Sequence, residues 1–264
     1  MLSAVDAGSD GLLYSFLLEL KPQQEAAVSP THGYQAYSLV LQILRQQNPG
    51  FSQRLHELPG PKPFTVSPIR GTVRRRGAHY LLDPNEVYCL RLTVLDEEMF
   101  SRFLDAVINL PNDHTLRLES ASLWLHRVVT TPGRDAGVGL SSFARLLEQA
   151  QPEPLIQLRF DSPTAFRSAG RRNVALPLPS LVFGSLLSRW NQFAPMRLPE
   201  TLRQAVEDGV LVAGYRLETR MLDFGTYKEM GFQGDCAFEC APSMSPTQVC
   251  QLRALADFTA ALAP

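Results

Sequence analysis

Hydrophobic residues recur along the chain at two spacings, which predict strands and helices in alternation. Residues 12–20 (LLYSFLLEL) are densely apolar over the length of a strand, and the stretch 32–47 repeats apolar residues at the spacing of one helix face. The elements predicted next are two strands, a second amphipathic helix and a long alternating strand, at 64–67, 88–95, 97–109 and 115–129. The first half therefore has the βαββαβ order of a ferredoxin-like unit.

The second half repeats this order up to its last strand. Its predicted elements are a strand, a helix, two strands and a helix, at 155–160, 180–193, 210–223, 227–239 and 246–261. We therefore predict an α+β fold of two tandem ferredoxin-like (βαββαβ) units, the second lacking its last strand. The predicted domains are 1–135 and 150–264, joined by a linker at 136–149, where glycines precede a short helical stretch.

The composition is that of an ordinary soluble globular protein, with 45% hydrophobic and 19% charged residues among 264. Apolar runs are short, and residues 1–16 lack the basic start and apolar core of a secretory signal, so we predict a cytoplasmic protein that enters no membrane. The cysteines have neither CxxC nor His/Cys metal spacing, which predicts reduced thiols and no metal or other cofactor; they are Cys89, Cys236, Cys240 and Cys250.

Positive charge is concentrated locally although the formal net charge is −1. Two glycine-punctuated segments, IRGTVRRRG and TAFRSAGRRN, hold arginines that suit phosphate contacts, because guanidinium binds phosphate bidentately. The candidate RNA-binding arginines are Arg74, Arg75, Arg76, Arg167, Arg171 and Arg172. The alternative, that both segments are solvated loops that keep the protein soluble, stays open.

No common catalytic signature is present: the chain has no P-loop, GxSxG or HExxH. His56 and Lys62 remain as a candidate pair, because they flank a turn stiffened by Pro59, Pro61 and Pro63. An imidazole and an ammonium held together suit metal-free RNA cleavage, in which the ribose 2′-OH attacks the adjacent phosphate. On pattern alone, a histidine near a lysine in a loop is more often a plain surface residue than part of an active site.

Three stretches resemble one known family. They are THGYQAYSLVLQILRQQNPGFSQRLHELPGPKPFTVSPI, SPTAFRSAGRRNVALPLPSLVFGSLLSRWNQFAP and GFQGDCAFEC. The first is similar to the N-terminal part of Cas6, the CRISPR repeat-processing endoribonuclease, in its helix ending in NP, then LHE, then GPK-x-FT-x-S. The second resembles the opening of the family's C-terminal half, and the third its GF-x-G strand. The stretches occur in the family's order.

The resemblance implies that CRISPR repeat RNA is bound and cut without metal, to leave 5′-hydroxyl and 2′,3′-cyclic phosphate ends. It places His56 at the family's acid or base and Lys62 at its active-site lysine. Some members also use a tyrosine on the first helix, where this chain has Leu41. Further RNA contacts predicted on this helix are its opening residue His32 and the tyrosines Tyr34 and Tyr37, which are shifted along it.

The sequence departs from the family after the last predicted helix, where ALADFTAALAP stands without the glycine-rich GxGxxxxxGxG loop and final strand. This leaves three hypotheses open. The chain is a repeat-RNA endoribonuclease, or a weakly active or inactive Cas6-like protein that holds guide RNA beside other Cas proteins of an effector complex, or a ferredoxin-like scaffold that binds no RNA.

Overall fold

The computed structural model describes residues 11–131, 137–167, 173–224 and 227–262. The chain divides into two compact units, Met1–Ser142 with Ala261–Pro264, and Phe143–Ala260. The division falls inside the segment predicted to be a linker, which here carries a short strand and a short helix. The domain boundaries expected from the sequence stay a prediction.

The elements of the first unit are, in chain order, β1 (Leu12–Pro22), β2 (Ala26–Val28), α1 (Gly33–Gln47), α2 (Pro49–Glu57), β3 (Phe64–Val66), β4 (Arg74–Arg76), β5 (His79–Leu82), β6 (Tyr88–Val94), α3 (Glu97–Ile108), β7 (Leu116–Leu118), β8 (Ala121–Val129) and β9 (Gly139–Ser142). Its main sheet is antiparallel in the order β3-β6-β1-β8-β7, which contains the 2-3-1-4 strand order of a ferredoxin-like unit. β9 pairs with the beginning of β1 and β8 with the rest, so the two strands follow one another along the same edge.

The core of this unit lies between the main sheet and the helices. Alternate residues of β1, beginning with Phe16 and Leu18, are buried on one face and pack against apolar residues of α1 such as Val40 and Ile43. The helix α3 begins at the N-cap Asp96, whose carboxylate accepts a hydrogen bond from the backbone N–H of Met99 at 2.9 Å. The hydrophobic pattern thus fixes which face of each element is buried.

Three local features differ from the elements predicted for this half. The segment 115–129 is a hairpin, β7 and β8, because the chain turns at Glu119 with φ of 51°. The segment Asn48-Pro49-Gly50 ends α1 but also begins a second helix, α2, with Pro49 in its first turn. The arginine segment forms the strand β4 of a small sheet with the order β2-β5-β4.

The elements of the second unit are α4 (Phe143–Gln149), β10 (Leu155–Thr164), β11 (Phe166–Arg167), β12 (Asn173–Val174), α5 (Pro179–Phe193), α6 (Leu202–Gly209), β13 (Val210–Asp223), β14 (Lys228–Cys240) and α7 (Pro246–Leu262). Its sheet has the order β10-β14-β13, the 1-3-2 order of a ferredoxin-like unit. In the described ranges β10 pairs along one side, with β14, as expected for a unit without a fourth strand. The fold is therefore α+β with tandem ferredoxin-like units.

Aromatic side chains fill the core of the second unit. The ring of Trp190 lies 4.9 Å from that of Phe143 and 5.4 Å from that of Phe258, and Phe183 of α5 packs on Phe238 of β14 at 5.3 Å. The indole N–H of Trp190 donates to the carbonyl of Met196 at 3.0 Å, so its one polar atom is satisfied. These contacts hold the helices on one face of the sheet.

The glycines of the GF-x-G stretch lie where strands approach closely. Gly234 has φ of +130°, and a Cβ there would overlap the carbonyl oxygen of Arg216 on β13. A Cβ on Gly231 would lie 3.0 Å from the backbone N and O of Thr164. Within the described part of the chain, no helix is long and apolar enough to cross a membrane.

Candidate active site

The corner between α1 and α2 places His56. The backbone N–H of Asn48 donates to Leu44 at the end of α1 (2.8 Å), and the carbonyl of Asn48 accepts from Ser52 at the start of α2 (3.0 Å). Asn48 therefore ends α1 and begins α2, with Pro49 in the first turn of the second helix. The hydroxyl of Ser52 donates to the carbonyl of Leu41 at 3.0 Å and fastens the two helices together.

His56 lies in the last turn of α2, exposed, and faces a groove of about 510 Å³ between α1 and α2. The groove is lined by Ser38, Leu41, Gln42, Arg45, Pro49, Ser52, Gln53 and His56. An imidazole on a rigid helix beside an open groove is a geometry that suits a general acid or base, since the ring is held by the helix and reachable by a ligand. The prolines that follow His56 lie beyond the end of α2, so the helix and not the proline-rich turn positions the imidazole.

Lys62 is brought to the end of α2 and not to the imidazole. Its ammonium donates to the carbonyl oxygen of His56 at 3.2 Å and, over a shorter contact, to the carbonyl oxygen of Leu58. Carbonyls at a helix C-terminus lack partners within the helix and carry partial negative charge, so a lysine there stabilises the last turn. The predicted pair is therefore close in space, and the contact runs through the backbone of His56.

His32 is buried, and both of its ring nitrogens are used. Nδ1 donates to the carbonyl of Ser29 at 2.7 Å, and Nε2 accepts from the backbone N–H of Ile69 at 2.9 Å. This pattern fixes the tautomer with the proton on Nδ1, because Nε2 must accept. In this placement the ring joins the start of α1 to the loop after β3, and the expected RNA contact at His32 stays a prediction.

Two tyrosines lie on α1, and the side chain of one of them, Tyr37, is described by the structure. Tyr37 is half-buried, stacks on Phe64 at 5.3 Å with nearly parallel rings, and its hydroxyl donates to the carbonyl of Leu55 at 3.5 Å. Tyr37 therefore packs α1 against α2 and β3, and its expected RNA contact stays a prediction. Tyr34 lies in the first turn of α1, and its side chain is outside the described part. Leu41 lines the groove, where it offers no polar group.

The arginines of β4 are all exposed. Arg74 pairs with Glu25 at 2.8 Å and with Asp83 at 3.5 Å, and Nε of Arg75 donates to the carbonyl of Gly77 at 3.3 Å. No partner of the Arg76 side chain is found among the residues that the structure describes. Successive side chains of a strand point to opposite faces, so the three arginines present charge on both sides of the small sheet.

The second arginine segment lies partly outside the described residues. Arg167 ends β11 and is exposed, whereas Arg171 and Arg172 lie outside the described residues. The predicted RNA-binding role of these arginines stays a prediction.

Two cysteines of the core have thiol pKa values above the ordinary value. Burial raises the pKa of the thiols of Cys236 and Cys240 on β14, and Glu239 raises that of Cys240 further. A buried thiol with a raised pKa is a poor nucleophile, which argues against cysteine chemistry. In the described ranges, no three side chains of His, Cys, Asp or Glu converge on a point where they could hold a metal ion.

Comparison with protein-family models identifies the class. The Cas6 N-terminal domain model matches residues 12–146, and the model of the CRISPR-associated endoribonuclease Cas6 matches residues 158–261. Together they cover both units in the family's order. The chain belongs to the Cas6 family of CRISPR-associated endoribonucleases.

Solved structures agree with this assignment. The chain is similar to Thermus thermophilus Cas6 (TTHB231), with 28% identity over 97% of this chain and 93% of that one and a TM-score of 0.70. It is similar to the product complex of the same protein at 29% identity, with coverage of 92% and 91% and a TM-score of 0.75. The Cas6 (TTHA0078) product complex matches at 25% identity, with coverage of 92% and 90% and a TM-score of 0.69. No curated protein sequence matches the chain.

Proposed function

We propose that this protein binds CRISPR repeat RNA and cleaves it without metal, with His56 as general acid or base. In the proposed reaction the 2′-oxygen of one nucleotide forms a bond to the adjacent phosphorus while the bond from phosphorus to the 5′-oxygen breaks. One proton leaves the 2′-OH and one is taken up by the 5′-oxygen. The products are a 2′,3′-cyclic phosphate and a 5′-hydroxyl.

The observation that carries this proposal is the position of His56 on the wall of the groove between α1 and α2. An imidazole accepts or donates a proton near neutral pH, and a positioned acid or base contributes typically ~10²–10⁴-fold. Lys62 belongs to the same proposed site, because its ammonium holds the carbonyl of His56 at 3.2 Å and so fixes the turn that carries the ring. The likeness to two Cas6 product complexes supports RNA as the ligand.

The test is single-turnover cleavage of end-labelled repeat RNA, taken from a CRISPR array of the source genome, in EDTA with protein in excess. We expect His56→Ala to slow cleavage by ~10²-fold or more while RNA affinity stays close to that of the unchanged protein, because the ring acts on protons and carries little of the binding. RNA with a 2′-deoxy residue at the cleaved position should remain intact, since the nucleophile is then missing.

The matched control is His126→Ala, which removes an exposed histidine of β8 that does not line the groove. It should cleave at the rate of the unchanged protein. Equal cleavage by the His56→Ala variant, or cleavage of the 2′-deoxy RNA, would reject the mechanism.

One observation favours a second candidate, a Cas6-like protein that holds guide RNA and cuts it slowly. Leu41 gives the groove no hydroxyl, and the ammonium of Lys62 is bound to helix carbonyls. The same assay separates the candidates, because RNA that is shifted in a gel but stays uncut identifies the second. RNA that neither binds nor is cut would support a scaffold without RNA.

A further inference from the structure

The groove that holds His56 has few polar groups left for a ligand. Most of the polar side chains on its walls already make hydrogen bonds within the protein: Ser38, Gln42, Ser52 and Gln53. The amide of Gln42, for example, both donates to the carbonyl of Arg117 and accepts from its N–H, each at 2.8 Å. A ligand would have to break these bonds to use these groups, at a cost of stability.

The two remaining polar side chains of the groove are Arg45 and His56. Neither has a hydrogen-bond or ion-pair partner in the part of the chain that the structure describes. Arg45 follows Leu41 by four positions on α1, so the two share one helix face, with Arg45 one turn nearer the C-terminus. Helical spacing therefore places the guanidinium of Arg45 next to the apolar side chain of Leu41 on the wall of the groove.

Three other exposed arginines of the first unit have their charge neutralised by a nearby carboxylate, whereas in the described part of the chain Arg45 does not. Arg54 pairs with Glu98 at 3.7 Å, Arg74 with Glu25 at 2.8 Å and Arg127 with Glu19 at 2.6 Å. The positive charge of Arg45 is offset by no carboxylate among the described residues, so it is available to an anionic ligand in the groove.

Lys62 is less available for that task. Its ammonium already donates to the carbonyls of His56 and Leu58, and moving it to a phosphate would leave the end of α2 without this partner. The groove's unengaged cation is thus on α1, and the lysine fixes the helix that carries the imidazole.

We infer that Arg45 is a catalytic residue, whose guanidinium binds the non-bridging oxygens of the phosphate that is cut, an inference that rests on the function proposed above. It takes no proton: negative charge grows on these oxygens as the 2′-oxygen attacks, and two parallel N–H groups stabilise it more in the transition state than before. The imidazole of His56 transfers a proton, and Arg45 holds the phosphate against it.

A structural role is the alternative, because a cation in the last turn of a helix also stabilises that helix. The experiment therefore compares Arg45→Ala, Arg45→Lys and His56→Ala in single-turnover cleavage at saturating protein, with thermal unfolding of each. The matched control is Arg54→Ala, which removes an exposed arginine of α2 that lies outside the groove.

We expect Arg45→Ala to cleave about 10²-fold more slowly at saturation, as for loss of one donor to a developing oxyanion. Arg45→Lys should fall in between, because a lysine keeps the charge but not the two-pronged geometry. Methylguanidinium at millimolar concentration should restore part of the rate to Arg45→Ala and none to His56→Ala. Arg54→Ala should cleave at the rate of the unchanged protein.

A structural role would give a lower unfolding temperature in Arg45→Ala, with no rescue by methylguanidinium, and would overturn the inference. A defect that disappears at saturating protein would overturn it as well, since the guanidinium would then only bind RNA. If His56→Ala is defective while Arg45→Ala is not, this inference fails and the proposed function stands. If His56→Ala cleaves normally, or the unchanged protein does not cleave, the proposed function fails and this inference with it.

Discussion

His56 and His32 differ in burial, although both lie in the sequence stretch that resembles the N-terminal part of Cas6. The ring of His56 is exposed at the end of a helix, whereas that of His32 is 3% exposed and bonded at both nitrogens. A histidine used at both nitrogens cannot take or give a proton without losing a bond. At the scale of the residue, burial and partners thus separate a structural histidine from a candidate catalytic one.

We expect His32→Ala to lower the free energy of unfolding by about 1–3 kcal/mol, because the buried N–H of Ile69 would lose its acceptor. Urea unfolding measures this directly. The exposed His126 provides the matched variant, His126→Ala, which should change the free energy of unfolding by less than about 0.5 kcal/mol. The folded His32→Ala protein should still cleave RNA, so a catalytic defect without loss of stability would contradict the structural role.

Among the secondary-structure elements, the short helix α2 fixes the position of His56, which the sequence had placed in a loop. Proline at its first turn starts the helix and the ammonium of Lys62 holds its last carbonyls, so both ends are fixed within nine residues. His56 lies in the turn that Lys62 holds. The orientation of the imidazole therefore depends on a residue that does not touch it.

We expect Lys62→Met to lower the free energy of unfolding by about 0.3–1 kcal/mol, the usual value of a cation at a helix C-terminus. Cleavage should also slow, because the last turn of α2 would hold the ring of His56 less firmly. Urea unfolding and single-turnover cleavage measure the two effects, with Lys21→Met as the control of equal chemistry. Lost stability with an unchanged rate would leave Lys62 a purely structural role, and no change in either would mean that the contacts are absent in solution.

The sequence predicted long elements well and short ones poorly. The strand at 210–223 and the helices near 33–47, 97–108 and 180–193 were recognised because apolar periodicity is strong over ten or more residues. The helix α2 was missed because Asn48-Pro49-Gly50 reads as a stop, although proline is equally common at a helix start. Strand β4 was missed because three exposed arginines carry no alternation.

The candidate site was predictable only in part. His56 and Lys62 were selected by their places beside a proline-rich turn and received their roles from the family resemblance, but the backbone contact between them depends on a turn that no periodicity describes. Arg45 was not predicted as a site residue, although it follows Leu41 by four positions and such spacing places two residues on one helix face. What the sequence lacked was knowledge of which groove side chains already have partners.

At the scale of the whole molecule, the formal net charge of −1 conceals local concentrations of arginine. A protein of this balance binds RNA through a defined patch and not through its overall field. The strand β4 is one candidate patch, but its members are unequal, since Arg74 pairs with two carboxylates at 2.8 and 3.5 Å. Arg76, without a partner in the described ranges, is the better placed to meet a phosphate.

We expect replacement of Arg74, Arg75 and Arg76 by alanine to weaken repeat-RNA binding and to flatten its dependence on salt. Each lost phosphate contact on single-stranded RNA lowers the slope of log affinity against log salt by ~0.7, because fewer counterions are released on binding. Equilibrium binding over a salt series measures the slope. A parallel variant, Arg171→Ala with Arg172→Ala, tests the second arginine segment in the same way.

The control for this prediction must change the net charge equally without touching the patch. Alanine at Arg54, Arg102 and Arg127 does so, because each of these arginines pairs with a carboxylate on the surface of the first unit. A general charge effect would lower affinity alike in both triple variants, whereas a phosphate-binding patch would flatten the slope only when β4 is changed. If the β4 variant and the Arg171/Arg172 variant both keep the unchanged protein's slope, these arginines are solvated surface and the RNA follows another path.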